Sequence, residues 1–293
     1  PINVRQTVEE IRGQAAVAQF VVSDGNYSSV SGRVLLVNDY TKFNGSYPQL
    51  REFDLDQPHT LVYTSGTSGR PKAAELTYGN HYFSALASET RLGASPDDRW
   101  LCCLPLYHVG GLAMLLRALI FGMSVVLHDG FDVELVNQAL DHDGITHVSL
   151  VPTMLYRLIS ARTSPPPHLK LCLVGGAAAT PDLVIRAQAA GFAVATTYGM
   201  TEAASQIATQ TVEQTLRKPG SVGKAIVPYS ELWIEGSNGE RLANGVIGEV
   251  VVRGATIMKG YRNEPEATAS TLRNGALHTG DLGYLDEDGD LWL

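Results

Sequence analysis

The chain is poor in the residues that would make it a disulfide scaffold, a metal cage or a polyanion binder. Only 3 of its 293 residues are cysteine. Cys102 and Cys103 are adjacent and Cys172 is remote, which fits neither a thiolate metal site nor a bridge between neighbours. Their apolar surroundings in the sequence point to buried free thiols of a reducing compartment, so a cytoplasmic setting is expected. His59, His81, His128, His142, His147 and His168 include no pair four residues apart, so no zinc site is expected. Positive charge is also short. The formal charge of −8 argues against a general binder of nucleic acid or anionic membrane, and any phosphate ligand must be met by local donors. Long apolar runs are missing: residues 112–126 are broken by Arg117 and Gly122, too short for a membrane span. No secretory signal opens the chain, and no repeat or low-complexity tract interrupts it.

What remains is an ordinary globular composition, 44% hydrophobic and 18% charged, long enough for a large core. Hydrophobic periodicity predicts a helix over residues 8–19 and strands over 20–23 and 33–37. Strands are then expected at 100–104, 124–128, 147–150, 170–174 and 193–197. Helical patterns fill the gaps, at 79–91, 112–121, 133–141, 153–160 and 181–190. That alternation predicts an α/β fold with mainly parallel, helix-covered sheets. After about residue 206 the pattern turns to glycine, proline and short strands (231–235, 248–253, 291–293), with one helix over 265–272. A smaller β-rich subdomain, a distorted barrel, is expected there. The organisation reads as an α/β core over 1–205 and a β-rich part over 206–293. SPPPH at 164–168 is a stiff connector inside the core.

The most informative segment is Leu61 to Lys72, LVYTSGTSGRPK. A strand-like run leads into glycines and hydroxyls and ends on a lysine. Glycines let backbone N–H groups converge on an anion, and hydroxyls add donors at the same place. Lys72 brings a mobile positive charge for phosphate oxygens. A plain Gly/Ser turn is the alternative, but it has no need of the Thr/Ser/Gly alternation. The spacing is not that of a Walker loop, since Gly66 and Gly69 are three apart and Ala73 follows the lysine. The segment instead resembles the phosphate loop of the adenylate-forming superfamily, the acyl-CoA synthetases and their kin. That resemblance implies that Thr64, Ser65, Gly66, Thr67, Ser68, Gly69 and Lys72 hold the outer phosphates of ATP.

Three further segments repeat the likeness in the superfamily's order. GGAAAT at 175–180 joins a strand to a helix. By resemblance Gly175, Gly176 and Ala177 let the adenine ring lie on the backbone, while a packed strand-to-helix turn explains the same residues equally well. TTYGMTE at 196–202 places hydroxyls, an aromatic and an acid at a strand end, where ligands gather in open α/β sheets. The resemblance assigns Thr197, Tyr198 and Gly199 to the nucleotide, Thr201 to the α-phosphate and Glu202 to Mg²⁺. A metal suits this chemistry because departing pyrophosphate carries concentrated charge. HTGDLG at 278–283 matches the segment whose aspartate, here Asp281, grips both ribose hydroxyls; an ionised carboxylate can accept two hydrogen bonds at once. Lys72, Thr201 and Glu202 are the implied catalytic residues.

The acid to be activated is indicated by LPLYHVGG at 104–111 and the apolar helix after it, whose single charge is Arg117. A buried guanidinium must meet an anion, either an internal carboxylate or a ligand. Together with LTYGNH at 76–81 and THVSLVPT at 146–153, these segments look most like the o-succinylbenzoate–CoA ligases of menaquinone and phylloquinone biosynthesis. That resemblance implies a small carboxylic acid, ATP and coenzyme A as substrates. Arg117 and Ser149 would then recognise an aromatic carboxylate, and His108 would line the acyl pocket. A catalytic-base role for His108 is disfavoured, because a carboxylate nucleophile is already ionised at neutral pH. A ligase for another aryl or acyl acid, or a nucleotide-binding fragment without turnover, are the other readings. No nucleic-acid partner is expected, and homo-oligomerisation is left open. The superfamily's C-terminal lid, with its Gly-Arg-x-Asp motif and lysine, is not in the sequence. The chain is therefore expected to be a poorly active piece of a longer enzyme, cut at both ends.

Overall fold

The computed structural model describes residues 2, 7–16, 21–23, 34–36, 52–64, 71–226 and 229–293. The chain divides into two compact units, Pro1–Phe53 and Asp54–Leu293. In the first, helix α1 (Val8–Ala15) opens on a capping box in which Thr7 and Glu10 satisfy each other's backbone N–H groups. It covers the start of the helix expected over 8–19; residues 17–19 lie outside the described residues. Strands β1 (Val21–Ser23) and β2 (Val34–Leu36) pair in parallel, at the two places where the sequence marks strands.

The second unit is built on a seven-stranded sheet. Its parallel part holds β5 (Arg99–Cys102), β6 (Ser124–Leu127), β7 (His147–Leu150), β8 (Leu171–Val174) and β9 (Val194–Met200). Four helices lie between these strands in the chain: α3 (Val109–Phe121), α4 (Val133–His142), α5 (Pro152–Ala161) and α6 (Pro181–Ala189). Proline at the first position opens α5 and α6, where its missing N–H leaves nothing unsatisfied. Helix α3 starts so close to the preceding chain that a Cβ on Gly111 would lie 2.4 Å from the Pro105 carbonyl oxygen. Val136, Leu140, Leu155 and Leu158 from the helices pack with Leu101, Val148 and Val174 of the sheet as one core. A second cluster sets Met114 and Ala118 of α3 against Trp100, Cys102 and Leu173. All three thiols are buried and free, as expected.

Beyond β9 the sheet continues antiparallel. Strand β10 (Ser205–Thr209) pairs back on β9, and β11 (Lys224–Ala225) on β10; helix α7 (Val212–Arg217) lies between them in sequence. The β-rich segment thus begins on the same sheet. It then forms a five-stranded sheet from β12 (Ser230–Glu235), β13 (Gly248–Gly254), β15 (Leu272–Arg273), β16 (Ala276–Leu285) and β17 (Leu291–Trp292). Tyr198, Ala203 and Ile207 share a core with Ile234, Val250, Val252 and Leu277, which seats this sheet against the end of the first.

A third sheet, absent from the sequence reading, joins β3 (Pro58–Thr64), β4 (Lys72–Thr77) and β14 (Gly260–Tyr261). Helix α2 (Tyr78–Leu92) follows β4 directly, its start fixed by a Thr77–Asn80 capping box. The Asn80 amide also donates to the carbonyls of Ala255 and Ile257 at 2.9 and 2.8 Å, and so ties the helix to the approach to β14. Helix α8 (Pro265–Thr271) follows β14.

Candidate active site

The segment expected to bind phosphate joins β3 to β4. Thr64 ends β3, Lys72 begins β4, and the two are paired across the register. Ser65, Gly66, Thr67, Ser68 and Gly69 lie outside the described residues. Lys72 Nζ stands 5.2 Å from the centre of the Tyr261 ring, within cation–π range. The Tyr261 hydroxyl donates to Glu202 Oε1 at 2.6 Å, the short bond expected when the acceptor is charged. Burial and the Glu202 carboxylate both push the phenol's pKa up, so it remains a donor at neutral pH. Tyr261 thus brings Lys72 and Glu202, 130 residues apart in sequence, to one place. The sequence reading missed it, since a tyrosine after a glycine carries no signal of its own.

Thr201 and Glu202 sit in a 3₁₀ turn between β9 and β10. The hairpin is closed so tightly that a Cβ on Gly199 would fall 1.7 Å from the Ser205 carbonyl oxygen. Gly199, expected to contact nucleotide, is therefore required first by packing. Glu202 is buried, and its carbonyl accepts the Met258 N–H at 2.9 Å. Two and three residues further on, the backbone takes conformations that side chains disfavour: Ala204 has φ 51° and Ser205 φ 117°. Such positions hold strain of roughly 1–3 kcal/mol each and tend to occur at functional sites.

The residues expected at the nucleotide lie on β9, at a bulge within β16 and just after β8. The Tyr198 hydroxyl donates to Asp281 Oδ2 at 2.6 Å, joining two residues that the sequence placed beside adenine and ribose. Burial and that carboxylate raise the Tyr198 phenol. Asp281 is exposed because β16 bulges. Glu249 pairs with Leu282 and Val251 with His278, so Val250 alone faces Thr279, Gly280 and Asp281. Gly280 takes φ 76° there, and Thr279 Oγ1 donates to the Val250 carbonyl at 2.7 Å. Gly175 presses on β9, where a Cβ would lie 2.6 Å from Thr197 Cγ2. Gly176 and Ala177 are exposed at the carboxyl end of β8. The Thr197 hydroxyl is engaged internally, with the Ala208 carbonyl at 3.0 Å and Thr209 Oγ1 at 2.8 Å. Its backbone, not its side chain, is what it can offer a ligand.

The residues expected to recognise the acid, Arg117 and Ser149, lie on α3 and β7. Arg117 is buried, and among the described residues it has no carboxylate within ion-pair distance. One nitrogen reaches Ser205 Oγ at 3.4 Å, a weak bond, and the guanidinium lies 5.8 Å from the Trp100 ring centre. Its Nε has no partner, and neither do the Trp100 indole N–H or Ser149 Oγ. Burial alone pulls the Arg117 pKa down to about 10, which still leaves it charged at neutral pH. Trp100 and His147 are paired in register, so Ser149 and Trp100 lie on the same face of the sheet. His108 is the N-cap residue of α3, makes no side-chain capping bond, and is exposed with its ring 4.7 Å from that of Tyr107. Buried donors left open in this way are rare and call for a ligand or water. Trp100 and Ser205 were not foreseen, because their roles depend on strands that meet only in the fold.

Residues 4–262 match the family described as AMP-binding enzyme. A 2-succinylbenzoate–CoA ligase of Bacillus pumilus is 44% identical over 243 residues, covering 83% of this chain and 49% of that protein. One from Bacillus cereus is 39% identical over 299 residues, covering 100% of this chain and 61% of the relative. The Bacillus subtilis o-succinylbenzoate CoA synthetase, solved with its acyl-adenylate intermediate, superposes with a TM-score of 0.92 at 36% identity over 99% of this chain and 61% of its own. The same enzyme solved with ATP and magnesium gives 0.90. The chain thus spans about half to three fifths of the length of the curated relatives it matches, and its α/β architecture is that of the corresponding part of those structures. It belongs to the AMP-binding enzyme family.

Proposed function

We propose that this chain carries the ATP- and acid-binding part of an AMP-forming ligase that activates o-succinylbenzoate and passes it to coenzyme A, in menaquinone or phylloquinone biosynthesis. The observation that supports the choice of acid is a buried Arg117 with no carboxylate partner among the described residues, together with an unsatisfied Ser149 Oγ. A substrate with two carboxylates suits it: one is consumed in the reaction and the other is held by a planar, bidentate donor.

In the first step an oxygen of the succinyl carboxylate attacks the α-phosphorus of ATP, and pyrophosphate leaves. In the second the thiol sulfur of coenzyme A attacks the acyl carbon, and AMP leaves. Within this reading Lys72 meets the outer phosphates and Thr201 the α-phosphate, while Asp281 holds the ribose hydroxyls. His108 borders the acyl pocket. Glu202 would hold Mg²⁺, since it is a buried carboxylate fixed in place by the Tyr261 hydroxyl and carboxylate oxygens are the ligands that this ion prefers. When bound, the ion neutralises charge on the leaving pyrophosphate. Catalysis on this account is positioning and charge stabilisation rather than proton transfer.

The test is a cycle on the full-length protein that combines Arg117→Lys with an acid lacking the aromatic carboxylate. The two losses in kcat/KM should be strongly sub-additive, because each removes the same contact. Strict additivity would reduce the reading to a ligase of some other aryl or acyl acid.

A further inference from the structure

The turn that carries Thr201 and Glu202 also holds Arg117, and neither role by itself requires that join. Its corner is Ala204–Ser205, two consecutive non-glycine residues with φ 51° and 117°. Such a corner persists only where the surroundings over-determine it. Here they do. Ser84 Oγ donates to the Ala204 carbonyl at 2.7 Å. The Ala204 methyl is fully buried in a cluster with Val62, Leu76 and Met258. Gly199 packs against the Ser205 carbonyl with no room for a Cβ. So fixed, Ser205 presents its hydroxyl to Arg117 at 3.4 Å, the guanidinium's one hydrogen bond among the described residues. Three residues earlier, Glu202 is pinned by the Tyr261 hydroxyl at 2.6 Å and by Met258 N–H at 2.9 Å. Lys72 rests over the Tyr261 ring. One unbroken line of contacts therefore runs from Arg117 through the corner to Glu202, Tyr261 and Lys72.

We propose that Ser205 is a positioning residue that couples acid recognition at Arg117 to nucleotide binding at the Thr201–Glu202 turn. The inference rests on the reading that Arg117 receives the acid's second carboxylate. An anion at Arg117 repositions the guanidinium that Ser205 contacts. The corner has few alternative conformations, so a displacement of Ser205 is passed along the backbone to Glu202 rather than absorbed. Coupling of this kind is reciprocal: the factor by which nucleotide tightens the acid equals the factor by which the acid tightens nucleotide. The acid is thereby gripped best when the groups that activate it are in place.

The experiment is calorimetric titration of the full-length protein with o-succinylbenzoate, with and without Mg²⁺ and a non-hydrolysable ATP analogue. It is run on the native protein, Ser205→Ala and Ser205→Gly. Alanine deletes the hydroxyl and keeps the strained corner, whereas glycine deletes it and suits the observed φ, so one variant remains folded if the other does not. Native protein should bind the acid at least about fivefold tighter with the nucleotide present. Both variants should reduce that factor to less than about twofold, while binding of the nucleotide alone changes little. An undiminished factor in either folded variant, or no coupling in the native protein, overturns the proposal. Failure of the Arg117 reading is separable, because it shows as additivity in the Arg117→Lys cycle whatever the Ser205 variants do.

Discussion

Arg117→Met should stabilise the free protein while it damages acid binding. The guanidinium is buried with no carboxylate within ion-pair distance among the described residues, and burial lowers its pKa to about 10. Against an ordinary value of about 12.5, and at ~1.36 kcal/mol per pKa unit, holding the charge there costs roughly 3 kcal/mol. The sign follows from linkage. A cation whose folded pKa is depressed is a burden at all pH values below that pKa, and the burden is relieved only as pH rises through it. At neutral pH the full burden is present. Methionine fills most of the same volume with no charge to desolvate, but gives up the contact with Trp100, worth about 1 kcal/mol. The net gain of about 1–2 kcal/mol corresponds to a rise in thermal midpoint of roughly 3–6 °C for a unit of this size. Scanning calorimetry of both proteins at neutral pH, without ligands, reads this directly. The acid should bind the variant at least about tenfold more weakly, the loss of one charge-assisted bond of ~1.5–3 kcal/mol. A lower midpoint for Arg117→Met would refute the reasoning, since it would show that the protein itself supplies Arg117 with a compensating anion.

Lys72→Ala should weaken ATP binding by roughly 10- to 150-fold, equivalent to ~1.5–3 kcal/mol, and AMP binding much less, because the lysine is assigned to the outer phosphates; equal weakening in competitive titrations would contradict that assignment. Gly199→Ala should fail to fold or lose more than about 10 °C in midpoint, given the 1.7 Å approach to the Ser205 carbonyl. Gly110→Ala, whose Cβ would meet nothing nearer than 3.8 Å, should be tolerated and serves as the control. Lys218 Nζ lies 2.7 Å from carboxylate oxygens of Asp286, Asp288 and Asp290. Against the upward push of burial, Lys218 and the Trp292 indole N–H hold the Asp286 carboxyl down at about 2. That group stabilises the fold above its unfolded pKa of ~3.9 and loses its contribution as pH falls towards 2. Lys218→Ala should therefore move the acid-unfolding midpoint, followed by circular dichroism, to higher pH, and an unchanged midpoint would deny the clamp a role.

Much of this was legible in the sequence because it is local. The parallel strands and their helices follow from periodicity, with element ends shifted by a residue or a few. The strand–turn–helix junctions announce themselves through Thr180-Pro181 and Val151-Pro152. Arg117 stood out as the single charge on an apolar helix, and the absence of an ion-pair partner among the described residues favours the ligand over the internal acid. The contributions of Tyr261, Ser205 and Trp100 were hidden, because each acts through a partner far away in sequence. Strand β4 was obscured by its place between a glycine-rich loop and a helix. Strand β16 was obscured by its own bulge, since HTGDLG reads as a turn while its flanks are still paired with β13. Gly199 illustrates a different difficulty: its place in a ligand motif suggested nucleotide contact, and the nearest demand on it is the closure of the hairpin.

The most direct test of the central claim is acid-dependent ATP–pyrophosphate exchange by the full-length protein. With o-succinylbenzoate, exchange should be rapid and Mg²⁺-dependent. With the same acid lacking its aromatic carboxylate, it should fall by at least about tenfold, the loss of one charge-assisted contact. Equal exchange with both acids would contradict the account, since the buried Arg117 would then have no part in choosing the substrate.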